Sequence, residues 1–91
     1  MDADRIRKKI AEFASSPKNV RFDELAALLD NHIGGPNGLF PEGYNHHGGS
    51  HHAFTVGGRT FKIAEPKTGC VKQIYVKHFL NAMEELGLYE R

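Results

Sequence analysis

The tightest constraint on this chain is a pair of adjacent glycines, Gly57-Gly58, set between two runs of alternating polarity, Ser50 to Val56 and Arg59 to Ile63. Two residues free to take positive φ, flanked by β-type runs, suit a two-residue hairpin turn, so the runs are expected to pair antiparallel. On the second run Phe61 and Ile63 face the side opposite Thr60 and Lys62. A hairpin with one apolar face must cover that face with something else.

The cover is expected from three helical stretches. In the first, Ile6, Ile10 and Phe13 recur at helical spacing among Arg7, Lys8, Lys9 and Glu12, and Ser15-Ser16-Pro17 ends it. In the second, Phe22, Leu25, Ala26, Leu29 and Ile33 form one apolar stripe. Asp23 and Glu24 suit the positive end of its dipole, and Gly34-Gly35-Pro36 stops it. The Gly-, Pro- and Asn-rich segment from Gly34 to Gly49 reads as a long loop or an irregular first strand. After the hairpin, Glu65 to Gly69 is a polar connector. From Val71 the helical period returns, with Val71, Ile74, Tyr75, Phe79, Ala82, Met83 and Leu86 as the core face and Gln73, Lys77, Asn81 and Glu84 opposite. Gly87 is placed to cap it. The order predicts an α+β fold, a small antiparallel three-stranded sheet packed against helices, as a single domain over residues 1–91.

Composition narrows the function classes. With 91 residues there is room for one modest core, and 40% apolar with 25% charged residues fits a globular protein. No apolar run approaches the roughly 20 residues needed to cross a bilayer, so no membrane role is expected. The start, Met1-Asp2-Ala3-Asp4-Arg5, lacks the basic-then-apolar order of a secretory signal, which makes the cytoplasm the expected location. Cys70 is the only cysteine, so neither an internal disulfide nor a cysteine-rich zinc site can form. The net charge of +1 does not argue for nucleic acid by itself, so any such argument rests on local charge. Histidine is the oddity: of six, four fall between His46 and His52.

Three segments together carry a family likeness: Val20-Arg21-Phe22-Asp23-Glu24-Leu25, then Gly49-Ser50-His51-His52 opening the hairpin, then Val71-Lys72-Gln73-Ile74-Tyr75-Val76-Lys77 opening the last helix. In these the chain resembles HicA toxins, the small RNA-cleaving partners of HicA–HicB toxin–antitoxin pairs. The likeness covers residues 20–88, with residues 1–16 as an N-terminal helical extension. It implies a double-stranded-RNA-binding-domain-like fold, an mRNA interferase activity that needs no cofactor, and mRNA and a HicB-like antitoxin protein as partners. The chain differs from the family pattern after its hairpin. Ala64-Glu65-Pro66-Lys67 stands where many members carry Pro-x-His.

Metal-free RNA cleavage needs a base for the 2′-hydroxyl proton, cations for the charged phosphorane and an acid for the leaving oxygen. Histidine suits both proton roles, because its ordinary pKa of about 6.5 lies near cellular pH. The resemblance places the catalytic residue at His51, with His52 as second candidate. Neighbours on a strand point to opposite faces, so only one of the two aims at substrate. Small Gly49 and Ser50 would let a phosphate backbone approach, and Ser50 could donate to a phosphate oxygen. Arg59, Lys62, Lys67 and Lys72 are the cationic candidates, with Lys67 and Lys72 best placed near the last helix's N-terminus. His46-His47 and His51-His52 could also converge across the loop on a metal. A structural zinc generally wants four ligands, and adjacent histidines on a strand do not share one, so no metal is expected. A non-catalytic RNA- or protein-binding module of the same fold is the alternative to a nuclease.

Overall fold

The chain runs α1 (Ala3–Ser15), a short 3₁₀ turn (Pro17–Asn19), α2 (Phe22–Leu28), β1 (Asn45–His47), β2 (His51–Val56), β3 (Arg59–Ala64) and α3 (Gln73–Glu85), in a computed structural model that describes residues 1–67 and 69–90. Thr68, within the connector expected from Glu65 to Gly69, lies outside the described residues. The strands form one antiparallel sheet in the order β1-β2-β3. Gly57 and Gly58 have φ of 57° and 80°, as a two-residue turn matched to strand twist requires. A Cβ on Gly57 would collide with the Leu86 side chain, so the turn is seated against the end of α3. The expected α+β architecture, a small three-stranded sheet with three helices, is present.

One buried cluster joins the layers. Phe54 and Val56 of β2 and Phe61 and Ile63 of β3 meet Ile6 and Ile10 of α1, Leu25 and Leu28 of α2, and Phe79 and Met83 of α3. Phe79 is the hub, edge-on to Phe13 at 6.2 Å and to Phe61 at 6.1 Å between ring centres. Burial of such a side chain contributes about 1.5–3 kcal/mol. Helix α1 packs into this core, where Ile6 and Ile10 are fully buried and Arg7 Nη2 donates to the Gly87 carbonyl at 3.2 Å. The other face of the sheet carries His51, Thr60 and Lys62 into solvent.

Three local features depart from the sequence expectation. The last helix begins at Gln73, and its buried stripe is Val76, Phe79, Ala82 and Met83. Ile74 therefore points outward, 53% exposed, although it was expected in the core face. Val71 is buried from an extended segment, its N–H bonded to the Val20 carbonyl at 2.8 Å beside an Arg21–Cys70 bridge. The second helix does not stay α-helical to Ile33: Leu29–Ile33 is a wide π turn, closed by Gly34 N–H on the Leu29 carbonyl at 2.7 Å. The segment from Gly34 to Gly49 supplies β1, and its loop is packed down, with Phe40 N–H on the Ile33 carbonyl at 2.8 Å. Tyr44 lies flat on Gly34, where any Cβ would collide with the ring. Gly87 ends α3 as expected, with Leu88 N–H returning to the Met83 carbonyl at 2.8 Å. Among the described residues no helix is long and apolar enough to cross a membrane.

Candidate active site

Strand alternation separates the two adjacent histidines. His51 starts β2 on the uncovered face and is exposed, whereas His52 points with Phe54 and Val56 toward the helices. His51 opens onto a groove of about 570 Å³ that Ser50, Glu65, Lys67, Lys72 and Tyr75 also line, with Pro66 and Cys70 in its wall. His51 Nδ1 lies 3.4 Å from Ser50 Oγ, a long contact that orients the ring without tying it down. The groove exists because β3 ends at Ala64, opposite His51, and the connector then turns back toward the first residues of α3.

Behind this groove runs a line of hydrogen bonds. Tyr44 Oη donates to Asp30 Oδ1 at 2.5 Å, and His46 Nδ1 meets the same carboxylate at 3.0 Å and 3.2 Å. His46 Nε2 lies 2.7 Å from His52 Nδ1, and His52 Nε2 lies 3.3 Å from Glu65 Oε2. Sheet register explains the central contact. His46 is opposite Phe54, so His52, two residues back on the same face of β2, is its diagonal neighbour. The wide turn after α2 carries Asp30 to this point, and Gly34 makes room for the Tyr44 ring. Aromatic faces enclose the two imidazoles: Phe22 stands 4.6 Å from His52, and Phe54 stacks on His46 at 4.1 Å. The His46 and His52 side chains keep 22% and 12% of their exposure, against 36% for Asp30 and 54% for Glu65, so the line is sheltered at its two imidazoles and more open at both carboxylate ends. Tyr44 holds its phenolic proton above the usual range, chiefly through burial, then through its bond to Asp30 and that carboxylate's charge.

The candidate residues thus divide. Ser50, His51, Lys67 and Lys72 share the groove, and Gly49 sits in the turn just before it. His52 lies behind the groove and reaches it through Glu65. Lys62 points out from the open face of β3, across from Ala53. Arg59 is not brought to the groove: it begins β3 at the far end of the sheet and pairs with Glu85 of α3 at 2.8 Å. The two histidine pairs do converge, but through His46 and His52 alone, and on each other. Among the described residues no three His, Cys, Asp or Glu side chains are grouped to hold a metal ion.

The sequence marks none of Asp30, Tyr44 and Glu65 as a candidate, and it offers His46 only as a metal ligand. The signal that could have found His46 is strand alternation, once β1 is recognised. Asp30 gave no signal, because a regular helix would aim it elsewhere. No family model, curated protein or solved structure matches the chain.

Proposed function

We propose that this protein is an endoribonuclease of the HicA toxin kind, an mRNA interferase that cuts RNA in the cytoplasm until a HicB-like antitoxin covers it. The observation that carries the reading is the groove at the start of β2. It combines an exposed imidazole, a hydroxyl and two lysines in one concave site. The three-stranded sheet with its helices on one face is compatible with a double-stranded-RNA-binding-domain-like fold.

The chemistry follows from the side chains. Donation of His51 Nδ1–H toward Ser50 Oγ leaves the Nε2 lone pair free to accept a 2′-hydroxyl proton. The 2′-oxygen then attacks the adjacent phosphorus, an internal nucleophile that no metal has to generate. Lys67 and Lys72 supply positive charge where the phosphorane accumulates negative charge.

An assay on a mixed-sequence oligoribonucleotide tests this directly. His51→Ala should lower the cleavage rate by about 10²–10⁴-fold while RNA affinity stays nearly constant, because a positioned base acts in the transition state. Lys72→Ala should instead weaken binding and reduce its dependence on salt by about one phosphate contact. Equal cleavage by wild type and His51→Ala would sink the assignment. A second reading, a non-catalytic RNA- or protein-binding module, draws on the near-neutral net charge and on the Glu65 carboxylate in the groove. RNA bound but never cut selects it.

A further inference from the structure

Counting hydrogens along the line behind the groove gives more than a structural role. Asp30 is a carboxylate that already accepts from Tyr44, so its contact with His46 Nδ1 requires a hydrogen on that nitrogen. His46 Nε2 and His52 Nδ1, 2.7 Å apart, need one hydrogen between them. His52 Nε2 and Glu65 Oε2 need a third. Two neutral imidazoles hold two hydrogens in total, so the complete line contains one more than they supply. The first position is set by Asp30, on His46 Nδ1. With His46 neutral, its Nε2 lone pair accepts from His52 Nδ1–H. The extra hydrogen then lies between His52 Nε2 and Glu65 Oε2. Other charged groups near this end are Lys67 and Lys72, which share the groove with Glu65.

Resting on the nuclease reading above, we propose that Glu65, sharing a hydrogen with His52, is the second proton-transfer group of the His51 groove. His51 takes the 2′-hydroxyl proton, the 2′-oxygen forms its bond to phosphorus, and the bond from phosphorus to the 5′-oxygen breaks with its electron pair on that oxygen. The hydrogen carried on Glu65 moves to this leaving oxygen and Glu65 is left as a carboxylate. His51 has gained one proton and the Glu65–His52 pair has lost one, so exchange with solvent resets both. Asp30 and His46 are positioning residues: they determine which His52 nitrogen faces Glu65 with a hydrogen, and they do not touch the groove.

The leaving group makes the test specific. A 5′-alkoxide needs a proton to depart, whereas 4-nitrophenolate departs without one. Glu65→Gln should cut the oligoribonucleotide about 10²-fold more slowly than wild type with KM within about twofold. The same variant should release nitrophenol from uridine 3′-(4-nitrophenyl phosphate) at nearly the wild-type rate, while His51→Ala fails on both substrates. His46→Gln, which disturbs the line without touching the groove, should show the same substrate dependence more weakly. Equal slowing of Glu65→Gln on both substrates, or no slowing on either, overturns the proposal. A wild type that cleaves neither substrate overturns the nuclease reading itself, an outcome distinct from any defect confined to the variant.

Discussion

The helix-covered face of the sheet has a dry end and a polar end, and one strand contributes to both. Along β2, Val56 and Phe54 are wholly buried within the apolar cluster, while His52, on the same face, sits among His46, Glu65 and Phe22. Alternation decides which way a side chain points; what it meets is decided by the elements laid over it. At the dry end those are α1 and α3, with Phe13 and Phe79. At the other they are the turn bearing Asp30 and the connector bearing Glu65. Polar groups tolerate such shelter only when they are paired, and among the described residues no buried side-chain polar atom lacks a partner.

The contrast can be broken from the dry end first. Phe79→Ala should cost about 3–5 kcal/mol in urea unfolding, since it removes the ring shared by Phe13 and Phe61. At the polar end Asp30→Ala removes one acceptor from both Tyr44 and His46, and should cost about 1–3 kcal/mol for the donors left without a partner. An Asp30 cost equal to that of Phe79 would mean that the polar end is as cohesive as the core, and the distinction would fail.

Alkaline unfolding sharpens the comparison, because the polar end holds the Tyr44 phenol above its usual range. In the unfolded chain tyrosine ionises near pH 10, and in the fold Tyr44 keeps its proton to higher pH through burial and Asp30. Below pH 10 both states hold the proton and the stabilisation is complete. Above it the unfolded state releases its proton first, so stability falls as pH rises. The urea midpoint should therefore decline above about pH 10 more steeply for wild type than for Tyr44→Phe; parallel curves would remove Asp30 and burial as the cause. The smallest effect belongs to the open face. Thr60→Ala breaks the 3.0 Å hydroxyl contact with Thr55 and should cost about 0.2–1 kcal/mol.

The sequence was most readable where geometry is periodic. Gly57-Gly58 between alternating runs located the hairpin, and Gly87 located the end of α3, because each answers a local backbone demand. Reading failed where tertiary contacts chose between local options. Spacing from Tyr75 and Phe79 puts Ile74 in the apolar stripe, yet Val76 faces the cluster and Ile74 faces out. By contrast, the apolar spacing of Ile6, Ile10 and Phe13 in α1 describes the face that is buried. The candidate site was legible in His51, Ser50, Lys67 and Lys72, which follow one another closely around the hairpin and the last helix. Asp30 and Tyr44 were not, because they reach His46 through a wide turn and a glycine contact that have no repeating pattern.

That wide turn has a consequence for length variation. Removing one residue from a regular helix rotates everything beyond it by about 100° and usually scrambles the packed stripe. Leu29–Ile33 already carries one residue more than an α turn needs, and Asn31 within it is exposed. Losing Asn31 would let the turn relax to ordinary spacing with Leu29 and Ile33 still able to face the core, but it would re-aim Asp30 away from His46. A one-residue deletion in this stretch of the gene would thus be absorbed by the scaffold and registered almost entirely at the histidines.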